Sequence, residues 1–337
     1  MPKALKVGIV GCGKIAHIDH VPGYLGAAGA DVVALHDVKK RQMAKLSEAF
    51  DLQAQTYTNW AKFLASGIDA ISICTPNCFH CPQTIDALRA GLHVLCEKPM
   101  AATPAETTRM IAAAKKAGKV LQINQTLRYL PVYVKIAELV QSGAIGKPIH
   151  VRCIRAGGST PDKGWSPGAR WFVSKQFHGG LVLDIGVHMA DMMQWAVGEI
   201  TEVAAYVDTR IKNIDVPDNV SALMRFKNGA TGVLELSWTM PVGAGVLEIY
   251  GTEGTLRQGF SKQNPIEIMM RTKDGKVRTL RPKPRKRLRN SQERFLDAIR
   301  GRSASPSPGE VGREAIALCD AIVRSGASGR FVKVQKF

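Results

Sequence analysis

Through residues 1–125, short apolar runs alternate with amphipathic stretches. KVGIV, DVVALHD, QAQTY, DAISIC, HVLCEKP and KVLQIN read as strands, rich in β-branched residues and bounded by turn formers. Between them, KKRQMAKLSEAF sets Met43, Leu46 and Phe50 on one helical face. NWAKFLASG stops at Gly67 and PQTIDALRAG at Gly91, both natural helix ends. The stretch 103–118 opens on Thr103 as cap, Pro104 in the first turn and Glu106 three residues after the cap, and closes on Gly118. Strands regularly separated by helices predict a parallel, doubly wound α/β sheet in a domain over residues 1–125.

Beyond residue 125 the rhythm changes. A helix, VYVKIAELVQSG, leads into the strand IHVRCIRAGG, and a second helix covers LDIGVHMADMMQWAVG. Strand-like runs then follow one another: EVAAYVDTR, VSALMRF, TGVLELSWT, VLEIYG, TLRQGF, PIEIMMRT and VRTLRP. Turns at Lys227-Asn228-Gly229 and Asp274-Gly275 join some of them. This pattern predicts an antiparallel meander in an α+β domain over 126–337, closed by helices over 291–300 and 309–325.

Composition changes this picture little. A chain of 337 residues, 45% hydrophobic and 22% charged, suits two soluble domains. No apolar run approaches the ~18 residues of a membrane span. The opening MPKALKVGIVGCG reads as a first strand rather than a signal peptide, so a cytoplasmic protein with reduced thiols is expected. The net charge of +18 is concentrated in 271–289, where ten Lys or Arg meet one Asp. That run lacks aromatics to stack on bases, so the expectation is a solvated hairpin and loop, with no nucleic acid.

Four stretches carry candidate chemistry. Gly11-Cys12-Gly13-Lys14-Ile15-Ala16 is a G-x-G-x-x-A at the first strand–helix turn. It gives a tight turn, a bare backbone for a pyrophosphate, and a small residue where helix packs on strand. Asp37 ends the second strand 26 residues after Gly11, placed to accept ribose hydroxyls and repel a 2′-phosphate. This favours NAD, while Lys39, Lys40 and Arg41 leave NADP open. Glu97-Lys98-Pro99 ends the fifth strand, on the edge where open α/β sheets bind ligands. Asp184 and His188 stand i and i+4 if 183–197 is helical, a carboxylate beside a histidine able to serve as general base. Met189, Met192 and Met193 read as core. In CTPNCFHC, the C-x3-C-x2-C of Cys74, Cys78 and Cys81 looks like a cluster ligand set. Cys74, however, ends a buried strand while Cys78 and Cys81 flank a helix start, so no metal is expected.

Taken in order, GIVGCGKIA, Asp37, CTPN with His80, AGLHVLCEKP, the D-x-G-x-H at 184–188, EIYGTEGTL, FLDAIRG and AIVRSGASG resemble the Gfo/Idh/MocA family of NAD(P)-dependent oxidoreductases over nearly the whole chain. The resemblance implies a Rossmann domain and a second domain with a large, mostly antiparallel, open-faced sheet through which a homodimer or homotetramer forms. It implies that Lys98 holds the substrate hydroxyl and nicotinamide ribose, that His188 exchanges the proton, and that Asp184 assists. Gly11, Gly13, Lys14, Ile15, Thr75, Pro76, Asn77, His80 and Glu97 fall to the cofactor, and Arg128, Tyr129 and Trp171 to the substrate end. His178 departs from the three glycines many relatives carry before D-x-G-x-H.

The implied reaction moves a hydride between a secondary alcohol carbon of a sugar or cyclitol and the nicotinamide. Two alternatives stay open. One is a lyase or glycosidase that recycles NAD through a transient keto-sugar. The other is a sugar-sensing regulator without catalysis, against which Lys98, Asp184 and His188 argue.

Overall fold

The computed structural model describes residues 3–258 and 265–337. The chain divides into two compact units, Met1–Gln125 with Arg289–Arg313, and Thr126–Leu288 with Glu314–Phe337. In the first, strands β1 (Leu5–Val10), β2 (Ala30–His36), β3 (Gln55–Tyr57), β4 (Ala70–Ile73), β5 (His93–Glu97) and β6 (Leu121–Asn124) alternate with helices α1 (Val21–Leu25), α2 (Lys40–Phe50), α3 (Trp60–Leu64), α4 (His80–Arg89) and α5 (Pro104–Ala117). The sheet runs β3-β2-β1-β4-β5-β6, every pair parallel, and its order reverses between β1 and β4. A crevice for ligands opens at such a reversal, outside the carboxyl ends of the strands. Helix α5 carries the expected capping box, the Thr103 hydroxyl accepting from the Glu106 N–H and the Glu106 carboxylate from the Thr103 N–H.

The second unit contains α6 (Pro131–Gln141), β7 (Pro148–Ala156), α7 (Val187–Val197) and the strands β8 (Ile200–Asp208), β9 (Asn219–Phe226), β10 (Thr231–Ser237), β11 (Ala244–Gly251), β12 (Gly254–Gln258), β13 (Ile266–Arg271) and β14 (Val277–Leu280). The strand expected over TLRQGF is described as far as Gln258; Gly259 and Phe260 lie outside the described residues. β7 enters the sheet between β11 and β10, parallel to β10, so the meander is interrupted and the sheet is mixed. Alternation is strict along β9: Val220, Ala222, Met224 and Phe226 are buried while Ser221, Leu223 and Arg225 are exposed.

Two further helices, α8 (Ser291–Ile299) and α9 (Gly309–Ser328), and a short strand, β15 (Val332–Lys333), follow. The break after residue 125 falls where the pattern changes, but 289–313 groups with the first unit, where the sequence suggested the second. The cause is apolar: Phe295 and Leu296 of α8 join the cluster of Val7, Ile9, Val21 and Tyr24. The Gln122 amide donates to the Ser291 carbonyl at 2.9 Å and the Ser307 hydroxyl to that of Ile123 at 2.6 Å. The basic run is a hairpin and loop, and part of its charge is paired, Arg281 with Glu267, Arg285 with Glu138 and Arg289 with Asp297. No helix among the described residues is long and apolar enough to cross a membrane.

Candidate active site

The glycine turn of the first unit has the properties a dinucleotide needs. Gly11 has φ +83°, and a β-carbon there would lie 2.9 Å from the Cys74 carbonyl, so only glycine lets the end of β1 pass β4 so closely. A β-carbon on Gly13 would meet nothing within 4 Å, which leaves its backbone open on that side. Ala16 is fully buried and begins a π turn, Ala16–His20, that runs into α1. Both oxygens of Asp37 are held by backbone: the Cys12 N–H donates to one at 2.9 Å and the Lys39 N–H to the other at 2.8 Å. The carboxylate is thereby fixed against the glycine turn, with lone pairs remaining for ribose hydroxyls. These residues fit a bound dinucleotide, with Lys14 exposed and Ile15 half-buried beside them.

After β4, the Thr75 hydroxyl donates to Gln83 at 2.7 Å, Pro76 is half-buried and Asn77 is buried. His80 is buried between two carbonyls, that of Pro99 at 2.7 Å from Nδ1 and that of Thr75 at 2.8 Å from Nε2. Burial lowers its pKa, and the two carbonyls, both acceptors, pull it the other way. The ring ties the loop after β4 to the turn after β5. Cys74 and Cys81 are buried and Cys78 half-buried, all three as free thiols. Burial is the first cause that raises each of their pKa values.

The turn after β5 rests on Glu97, which the family resemblance gave to the cofactor and which is instead buried among protein partners, His20 being the one that sequence reading missed. Glu97 is 5% exposed; its Oε1 lies 2.8 Å from His20 Nε2 and accepts from the Asn124 amide at 2.5 Å, and its Oε2 accepts from the Lys98 N–H at 3.1 Å. Asn124 also donates to Asp19 at 2.8 Å. Burial alone would raise the Glu97 pKa, but His20, Asn124 and the Lys98 charge outweigh it and hold it low. Burial likewise opposes charge on His20, and Cys74 and Glu97 outweigh it, raising its pKa. Asp19, His20 and Glu97 stand close enough to suggest metal ligands, yet the Asn124 amide donates to both carboxylates and His20 is bonded to one of them. The available signal was a histidine four residues beyond Ala16, on the helical face that Ala16 buries.

In the second unit, Asp184 lies in a π turn, Val182–Gly186, and His188 in the first turn of α7. A π turn bonds i to i+5, so the simple i, i+4 register expected for this pair does not run through it. Both side chains are half-buried, whereas Met189, Met192 and Met193 are in the core. Asp184 lines a cavity of about 450 Å³. Arg128 has a different occupation from the one expected. Its guanidinium donates to both oxygens of buried Asp191 at 2.8–3.0 Å and lies 4.9 Å from the Trp195 ring, clamping residues 126–129 onto α7. Tyr129 is buried, and Trp171 stacks on Phe172 with centroids 3.7 Å apart. His178 has φ +54°, in the left-handed region, which explains why glycine suits this place; histidine tolerates it better than most residues.

A glycine turn at the reversal of a parallel sheet, with a carboxylate ending the second strand, defines a dinucleotide-binding fold. Residues 5–125 match the model of an oxidoreductase family with an NAD-binding Rossmann fold, and residues 133–257 match the Gfo/Idh/MocA C-terminal domain. The chain belongs to the Gfo/Idh/MocA oxidoreductases. It is 28% identical to a 1,5-anhydro-D-fructose reductase of Ensifer adhaerens over 97% of this chain and 98% of that one. With D-glucoside 3-dehydrogenase of Escherichia coli (strain K12) it shares 31% identity over 71% of each chain. A solved levoglucosan dehydrogenase in complex with NADH and levoglucosan superposes with a TM-score of 0.87 at 26% identity, covering 99% of this chain and 100% of the other.

The His20–Glu97 pair has a pH signature. Glu97's share of stability is complete above its ordinary 4.5 and lost as pH falls through its lowered value. The share of His20 is complete below its ordinary 6.5 and lost as pH rises through its raised value. Between those limits, His20→Phe strands a buried carboxylate and should destabilise the protein by about 3–5 kcal/mol. The deficit should shrink in acid, where Glu97 of the variant takes up a proton. Urea unfolding across pH checks this, and a variant as stable as the parent in that window would refute the pair.

Proposed function

We propose that this protein is an NAD-dependent dehydrogenase or reductase that moves a hydride between a secondary alcohol carbon of a sugar or cyclitol and a nicotinamide cofactor. The observation that carries the reading is Lys98, set at the carboxyl end of the same sheet that bears the glycine turn and braced from beneath by charged Glu97. The names of the curated relatives, a reductase and a dehydrogenase of sugars, support the substrate class.

In this reading Gly11, Gly13, Lys14, Ile15 and Asp37 hold the adenosine and pyrophosphate, and Thr75, Pro76, Asn77 and His80 line the nicotinamide half. The bound dinucleotide supplies or takes the hydride. Lys98 holds the substrate hydroxyl and steadies its oxygen as the O–H proton leaves. His188 takes that proton, or returns it in reduction, and Asp184 orients the hydroxyl. A fixed carboxylate at Asp37 favours NAD, since a 2′-phosphate would meet its charge. The second unit's sheet leaves Tyr206 and Leu223 exposed, 76% and 55%, on one face, and we assign that face to a dimer or tetramer contact.

A panel of sugars, inositols and their keto forms with both cofactors, followed by NADH absorbance, tests the activity. Lys98→Ala should lower turnover by about 100-fold or more while NADH still binds by fluorescence titration; near-parental turnover would sink the assignment. Asp37→Ala should shift the kcat/KM ratio from NAD toward NADP, and an unmoved ratio would remove Asp37 as the ribose ligand. Light scattering should give two or four chains per particle, falling in Leu223→Arg; a single chain per particle in the parent overturns the assembly.

A further inference from the structure

Arg155 is an exposed charge at the end of β7, where the covered face of the strand gives out. Along β7, Val151 and Cys153 are 0% and 1% exposed; Arg155 follows them in the same alternation but is itself exposed. The face is the one α7 and the π turn before it cover: a β-carbon on Gly232 would meet Met193 at 3.1 Å, and one on Gly186 would meet Leu236 at 3.1 Å. Arg155 pairs in register with Leu236 on one side and Gly245 on the other. Its Nη1 lies 3.7 Å from where a Gly245 β-carbon would stand, so the guanidinium extends past bare backbone. Among the described residues it has no ion pair and no side-chain hydrogen bond.

The same Arg155 lines the cavity of about 450 Å³ that holds Asp184, a volume in the range of small-molecule sites. Among the described residues of its wall, Arg155 and Asp184 are the only formally charged ones. Trp165, packed edge-on against Phe172 at 5.6 Å, adds an aromatic surface of the kind that covers the C–H face of a sugar ring. Thr160, also in the wall, is 2% exposed, and its hydroxyl has no hydrogen-bond partner among the described residues. A buried hydroxyl in that state is costly unless a ligand or water completes it.

We propose that the substrate is a sugar acid, a uronate, and that Arg155 receives its carboxylate; this rests on the dehydrogenase reading above. The two wall charges would orient such a molecule: the acid is attracted to Arg155 and repelled by Asp184, which is left to meet a hydroxyl. One planar guanidinium suits a singly charged planar carboxylate, which it can grip with two parallel N–H bonds. A phosphate dianion would call for more positive charge than this wall carries.

The test compares D-glucuronate with D-glucose and D-galacturonate with D-galactose, with glucose 6-phosphate as a further arm, in the parent and in Arg155→Met and Arg155→Lys. The parent should prefer the acid of each pair. In Arg155→Met that preference in kcat/KM should fall by about 30-fold or more, mainly through KM, as expected for losing one side of a charged pair. Arg155→Lys, which keeps the charge and loses the fork, should fall between them. A parent that favours the neutral sugar or the phosphate, or a preference untouched in Arg155→Met, overturns the proposal and leaves the dehydrogenase reading standing. If no compound reacts with either nicotinamide, the dehydrogenase reading falls. Calorimetric titration of glucuronate then decides the site: binding lost in Arg155→Met supports it, and no binding to the parent overturns it.

Discussion

A carboxylate kept charged inside the first unit organises the ligand edge of its sheet. Glu97 closes β5, and burial alone would neutralise it; a histidine from the π turn after β1 and an amide from the end of β6 prevent that. One side chain thus draws two strand ends and a π turn together and presents the Lys98 backbone in a fixed place. The glycine turn depends on the same region, because the π turn that begins at Ala16 is what delivers His20. Such turns often occur at functional positions, where the wider spacing re-aims a side chain.

The second unit solves a different problem. Its sheet is covered on one face and open on the other, and alternation along β9 records the division residue by residue. At the end of β7 the cover stops, and the apolar row of Val151 and Cys153 gives way to Arg155. Glycine 245 beside it, and the loop through Thr160 and Trp165, turn the end of a packed face into a polar cavity. Asp184 reaches the same cavity from a second π turn. Both units therefore set a candidate functional residue on a π turn rather than on a regular helix.

Most of the local structure was legible because it is local. Strand and helix periods, the Thr103 capping box and the glycine turn depend on residues within a few positions of one another, and each appears where the pattern put it. Arg128 shows the limit: the family resemblance put it at the substrate end, but Asp191, 63 residues away, takes its guanidinium. The interruption of the meander by β7 was equally hidden, since a parallel neighbour leaves no mark in strand spacing.

The sequence by itself determined the alternating fold of the first unit, the dinucleotide turn, the carboxylate at Asp37 and the family. These are written in short periods and short motifs, and their physics acts over a turn or a strand. Only the tertiary structure decided that Glu97 is ionised, that Asp184 and His188 are separated by the end of a π turn, that residues 289–313 belong with the first unit, and that Arg155 faces a cavity. Each of these depends on which distant groups share one small volume, and charge, desolvation and pairing are set by that company rather than by neighbours along the chain.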